Sequence, residues 1–214
     1  MKEIRLSNVV PEIFAERDDL RSGVWCGDVC FERGKSYLIE AASGTGKSSL
    51  CSYLYGQRGD YRGSILFDGV DISKFNTEEW CRVRRDSIAI LFQDLRLFGE
   101  LTAIENVEIK NRMTHCRTHA EIETWFEELG ITDKRDVRID RMSYGQQQRV
   151  ALIRALCQPF DFLLLDEPIS HLDDQNSDIM RDIILREVAK NGAAVIATSI
   201  GKSMNINYDK RLKL

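Results

Sequence analysis

The sequence predicts an α/β fold, a mostly parallel β-sheet covered by helices, with a helical subdomain inserted in it. Three observations predict this. Short β-like runs at 3–10, 36–41, 64–68, 88–92, 161–165 and 193–198 alternate with helical segments, the pattern of strand–helix–strand units. Between Gln93 and Pro159 no such run occurs, and two capping boxes, Thr102 with Glu105 and Thr118 with Glu121, each open a helical pattern. Hydrophobic residues make up 43% and charged residues 30% of 214 positions, a globular profile long enough to bury about 70% of the unfolded chain's surface.

The run 36–41 leads into YLIEAASGTGKSSL, where an apolar strand gives way to a Gly-rich turn and Lys47-Ser48 opens a helix. Such a turn aims backbone N–H groups and a helix N-terminus at phosphate oxygens. Ser43, Gly44, Thr45, Gly46, Lys47, Ser48 and Ser49 form the expected cradle, with Lys47 on the terminal phosphates and the Ser48 hydroxyl on Mg²⁺. Ala41 replaces the first glycine of the G-x-x-x-x-G-K-[ST] pattern. A flexible turn with a solvated lysine would explain the glycines, but not a Lys-Ser pair in this register.

The run 88–92 ends at Gln93, after which residues 94–158 form the expected helical subdomain; residues 1–93 and 159–214 form the nucleotide-binding core. The subdomain closes in MSYGQQQRVALIRALCQP, a helix stopped before Pro159 and opened by the capping box Ser143-x-x-Gln146. The strand in DFLLLDE delivers Asp166 and Glu167 at its C-terminal end, the ligand-binding edge of an open α/β sheet. Asp166 is expected to hold Mg²⁺, and Glu167 to orient or deprotonate an attacking water. A long helix from about Asp174 to Lys190 stops at Asn191 and Gly192, and a last strand is expected around Tyr208 to Leu214. These features read as a P-loop α/β domain.

The apolar runs fall far short of the roughly 20 residues that span a bilayer, and the charged N-terminus shows no secretory signal. A net charge of −4, with both signs interspersed, argues against nucleic acid as the main partner. Six cysteines without CxxC pairs fit a reducing cytosol, with Cys51, Cys81 and Cys157 as small core residues. His115 and His119 share an i, i+4 spacing, but Arg117 and a Thr118 cap between them favour a solvated loop over a zinc site.

SYGQQQRVALIRAL resembles the signature motif of the nucleotide-binding subunit of ABC transporters, LLLDEP its Walker B strand, SHLD its D-loop and ILFQDLRLFGELTAIENV its Q-loop segment. The resemblance covers nearly the whole chain and is nearest to the short cassettes of lipoprotein-releasing, macrolide-exporter and cell-division type. It implies a P-loop NTPase of the RecA-like kind with an N-terminal antiparallel β region, and two such cassettes packed head to tail, as a homodimer or heterodimer, with ATP and Mg²⁺ between them. It places Ser143, Gly145 and Gln146 on the γ-phosphate held by the second copy, and Asp173 across the interface. Gln93 would touch Mg²⁺ or the water, and Phe14 would stack on adenine, leaving Trp25 and Tyr37 as core residues. It further implies separate membrane-spanning permease subunits, contacted through Leu95, Leu97, Phe98 and Leu101, the alternative for these four being the core of the inserted helical subdomain. The chain itself is expected not to enter the membrane but to sit in the cytoplasm, peripheral on the inner face of the cell membrane.

Two departures accompany the resemblance besides Ala41 in the Gly-rich turn. Ser199 stands at the catalytic position where the family carries a histidine on the γ-phosphate, and Tyr144 where the signature has its first glycine. Losing one electrostatic contact to a transition state costs roughly 10²-fold or more in rate. The leading expectation is an ATPase that drives transport. The alternative is an ATP-gated clamp or regulatory cassette with slow or no hydrolysis, as in a cell-division type complex. A small-molecule kinase would leave the signature and SHLD segments without a role.

Overall fold

In the computed structural model, residues 1–17, 20–42, 44–170 and 172–214 are described. Strand β1 (Glu3–Pro11) lies between β2 (Asp28–Glu32) and β4 (Tyr61–Phe67), antiparallel to both, and β5 (Val70–Asp71) completes a sheet of order β2-β1-β4-β5. A second sheet, of order β6-β7-β8-β3-β9, is parallel throughout; it comprises β3 (Ser36–Glu40), β6 (Ile88–Leu91), β7 (Phe162–Asp166), β8 (Ala194–Ser199) and β9 (Lys210–Lys213). Every residue of β6, β7 and β8 is buried, as strands covered on both faces require.

Alternate residues of the parallel strands feed two separate cores. Phe162, Leu164 and Ile196 face the antiparallel sheet, packing with Ile4, Leu6, Phe31 and Ile65 and with helix α1 (Lys47–Leu54). Leu163, Leu165 and Val195 face the other way, into a cluster shared with α3 (Ala103–Thr114), α4 (His119–Glu128), α5 (Tyr144–Leu156) and α6 (Asp174–Asn191). The period of two in the pleat therefore puts one strand end between two packed layers.

The capping boxes at Thr102, Thr118 and Ser143 all form, each with the N3 side chain returning to the N-cap backbone. Gly192, at φ 56°, ends α6 in the left-handed conformation.

Besides the two-residue β5, a longer strand and a helix fall outside the expected runs. Strand β2 buries only Val29 and Phe31 between acidic ends. Helix α2 (Thr77–Asp86) buries no residue fully; it is mostly charged, and only Trp80 and Val83 on one face pack against the core. Cys81 sits on that helix and is exposed, contrary to the core reading, whereas Cys51 and Cys157 are buried and burial pushes both thiols well up.

The turn between α3 and α4 also differs from the solvated loop expected there. His115 is the left-handed C-cap of α3 and His119 opens α4, but Arg117 between them is 8% exposed. Its Nε donates to the Leu156 carbonyl at 3.0 Å and its guanidinium lies 2.9 Å from the Glu187 carboxylate. Among the described residues no group of three His, Cys, Asp or Glu could hold a metal ion.

Candidate functional site

Strands β3, β6, β7 and β8 run parallel and end on one edge of the sheet, where each delivers a segment: the Gly-rich turn, Gln93, Asp166-Glu167 and Ser199. In the turn, Gly44 and Gly46 have φ of 78° and 100°, which favour glycine. Gly46 is also the N-cap of α1, and a Cβ there would lie 3.2 Å from the rings of both Phe14 and Trp25. Ala41 is not among the residues with positive φ, so its methyl group costs the backbone nothing. The Trp25 indole N–H donates to the Thr45 carbonyl at 3.1 Å, and the Thr45 hydroxyl to the Ala42 carbonyl at 2.8 Å. Trp25 is thus a core residue, as expected, that also ties down the turn; Tyr37 is buried as well. Ser43 lies outside the described residues.

A chain of polar contacts links the four segments. The Lys47 ammonium, 5% exposed, donates to the Ala42 carbonyl at 2.8 Å and lies 3.7 Å from Glu167 Oε1. Glu167 Oε2 is 3.4 Å from Gln93 Nε2, and Gln93 Oε1 is 3.4 Å from the Ser48 hydroxyl. Asp166 is 5% exposed and accepts a hydrogen bond from the Thr198 hydroxyl at 2.7 Å. The same Thr198 oxygen accepts from the Glu167 backbone N–H at 3.1 Å, at a residue held in left-handed backbone at φ 52°. Thr198 therefore holds the Asp166 carboxylate and the Glu167 peptide at one point. A threonine inside a strand carries no sequence signal for that role, since β-branched residues are ordinary there.

These residues line a cavity of about 370 Å³ that brings together Phe14, Gly44, Gly46, Lys47, Ser48, Ser49, Gln93 and Glu167, and adds Ile13, Arg58 and Ile200. Asp166 lines an adjoining hollow with Ser48 and Gln93. Arg58 brings a second cation that the sequence did not flag; its guanidinium donates to Ser49 Oγ at 3.0 Å and pairs with Asp60.

Several expected residues are engaged by neighbours within their own chain. Phe14 touches the cavity but is 8% exposed, with the Arg17 guanidinium 4.9 Å from its ring centroid; the exposed side chain there is Ile13, at 77%. Ser199 is buried, its hydroxyl donates to the Lys202 carbonyl at 2.6 Å, and its neighbour Ile200 lines the cavity instead. Ser143, Gly145, Gln146 and Asp173 do not line the cavity. Ser143 and Gln146 cap one another, and Asp173 caps α6, where the Asn176 backbone N–H lowers its pKa. Of the proposed contact residues, Leu95 is buried and Phe98 is 52% exposed.

Thr198→Val keeps the shape of the side chain and removes the hydroxyl, leaving a buried carboxylate oxygen and a backbone N–H without their partner. The expected cost is about 1–3 kcal/mol, read from the urea midpoint, with a parallel loss of site activity.

A glycine turn opening a helix, faced by an acidic strand end and a glutamine, defines a nucleotide-binding P-loop domain. The ABC transporter family model matches residues 28–170, and the chain belongs to that family. It is 35% identical over 170 residues to the macrolide export ATP-binding/permease protein MacB of Shewanella sp. (strain ANA-3), covering 77% of this chain and 25% of that protein. It is 32% identical over 204 residues to the phosphonates import ATP-binding protein PhnC of Rhodopseudomonas palustris (strain BisB5), covering 90% of this chain and 75% of that one. The chain thus spans about a quarter of the length of the macrolide export proteins it matches. The dimeric structure of a bacterial ABC transporter cassette aligns with a TM-score of 0.78 at 23% identity, covering 92% of this chain and 87% of the other, so the cassette fold is shared. Among the described residues no helix is long and apolar enough to cross a membrane.

Proposed function

We propose that this chain binds and hydrolyses ATP as one half of a head-to-tail pair of cassettes, and that the resulting motion drives membrane-spanning permease parts. The observation that carries this reading is the contact chain from Lys47 through Glu167 and Gln93 to Ser48 in one cavity at the strand ends. Backbone N–H groups of the turn and the N-terminus of α1 would receive the phosphates, with Lys47 balancing their charge. Glu167 would take the proton of the attacking water. Ser48, Gln93 and Asp166 offer the oxygen donors that Mg²⁺ takes alongside phosphates, and the ion when bound would neutralise charge on them. Ser143, Gly145, Gln146 and Asp173 stand outside the cavity, which is where residues serving the nucleotide of a second, identical or related, cassette belong. The working place would be the inner face of the cell membrane.

The test is ATP turnover of the purified chain across a wide range of protein concentration, with Ser199→His alongside. Turnover should rise more steeply than linearly with protein. The Ser199 hydroxyl is engaged by the Lys202 carbonyl, so a histidine reaching the phosphate should raise the rate roughly tenfold or more. Wild-type chain that binds ATP without turnover would make occupancy the output, as in a clamp.

A further inference from the structure

Tyr144 replaces a glycine-like position at the first residue of α5, and its hydroxyl donates to the backbone carbonyl of Gln93 at 2.6 Å. No glycine could make that bond. The backbone that follows is unusual: Leu95 and Arg96 both adopt left-handed φ, 56° and 49°. Bulky residues in that region cost on the order of 1–3 kcal/mol each and persist only where the surroundings fix them. Here the surroundings are again α5. Arg154, three turns along the helix from Tyr144, donates to the Leu95 carbonyl at 2.6 Å and to the Arg96 carbonyl at 2.7 Å. The Arg96 guanidinium in turn lies over the Phe92 ring, 4.0 Å from its centroid. One helix therefore holds three carbonyls of the loop 93–96.

Resting on the reading above, we infer that Tyr144 is a positioning residue for Gln93, fastening the start of α5 to the nucleotide site of its own chain. The Gln93 side chain spans from Ser48 to Glu167, so a shift of its backbone moves both contacts together. The anchoring end is itself fixed, because Ser143 and Gln146 lock the first turn of α5 reciprocally. In a head-to-tail pair, the same turn faces the second copy's nucleotide. Tyr144 then couples the two sites: ordering of the α5 N-terminus by one nucleotide steadies Gln93 beside the other.

Tyr144→Phe removes the hydroxyl and keeps the ring. The full chain should bind ATP within about twofold of wild type, while kcat falls about tenfold and the Mg²⁺ concentration for half-maximal rate rises several-fold. Amide hydrogens across 93–97 should exchange faster, and Tyr144→Gly should exceed the phenylalanine variant in both respects. Exchange identical to wild type across 93–97, or an unchanged Mg²⁺ dependence of turnover, overturns the inference. If the wild-type chain hydrolyses no ATP, the functional reading fails on that ground alone. The exchange comparison still decides whether the hydroxyl holds the loop.

Discussion

Glu167→Gln is expected to lower ATP turnover by about 10³-fold while ATP binding is retained or tightened. The substitution keeps the shape of a side chain that is 9% exposed and lies 3.7 Å from the Lys47 ammonium. What it removes is the ability to take a proton, and with it a negative charge beside the expected position of the phosphates. The first loss falls on the chemical step; the second favours the bound nucleotide by reducing repulsion. Phosphate release under saturating ATP measures one, and equilibrium nucleotide binding measures the other. A rate within fivefold of wild type would take Glu167 out of the role of base. The strain at its backbone, φ 52°, supports the assignment, since Thr198 Oγ1 is committed to holding that peptide N–H in place.

The parts legible in the sequence are those set by spacing along one element. A Gly-rich turn before Lys47-Ser48, two acids at the end of an apolar strand, and Ser or Thr three residues before Glu or Gln each specify local geometry directly. The unreadable parts depend on where a side chain points after a single turn of backbone. Ile13 and Phe14 are adjacent in a short 3₁₀ turn; one is exposed and the other packs against Gly46. Counting residues back from the glycine turn cannot separate them. Likewise the Ser199 hydroxyl meets its own loop at Lys202, and the Tyr144 hydroxyl meets a residue 51 positions earlier. The fold class rests on alternating apolar runs that bury whole strands, so it is robust to such detail. Strand β2 escapes because only two of its five side chains enter the core.

Glu187→Ala is expected to destabilise the fold by about 3–5 kcal/mol, because it takes from the buried Arg117 guanidinium its desolvated counter-charge. The two side chains are 5% and 6% exposed and meet at 2.9 Å. Glu187 Oε2 makes no aligned hydrogen bond, so the contact is ionic in character and depends on both charges being present. After the substitution Arg117 retains the Leu156 carbonyl, the Trp125 ring at 5.2 Å and the more exposed Glu121 at 3.8 Å, which cannot match a desolvated carboxylate. An exposed pair such as Arg82 with Glu78, at 64% and 85% exposure, should by contrast change stability by less than about 1 kcal/mol when broken. The double variant Arg117→Met with Glu187→Leu removes both charges at nearly conserved volume and should recover most of the loss. Urea midpoints of the three variants measure these differences, and a Glu187→Ala midpoint equal to wild type would show that the pair carries no stability. The pair joins the turn before α4 and the end of α5 to α6, and neither residue lines the cavity that holds Lys47 and Glu167. Turnover per folded molecule should therefore stay within about twofold, separating a residue that holds the helices together from one that performs the chemistry.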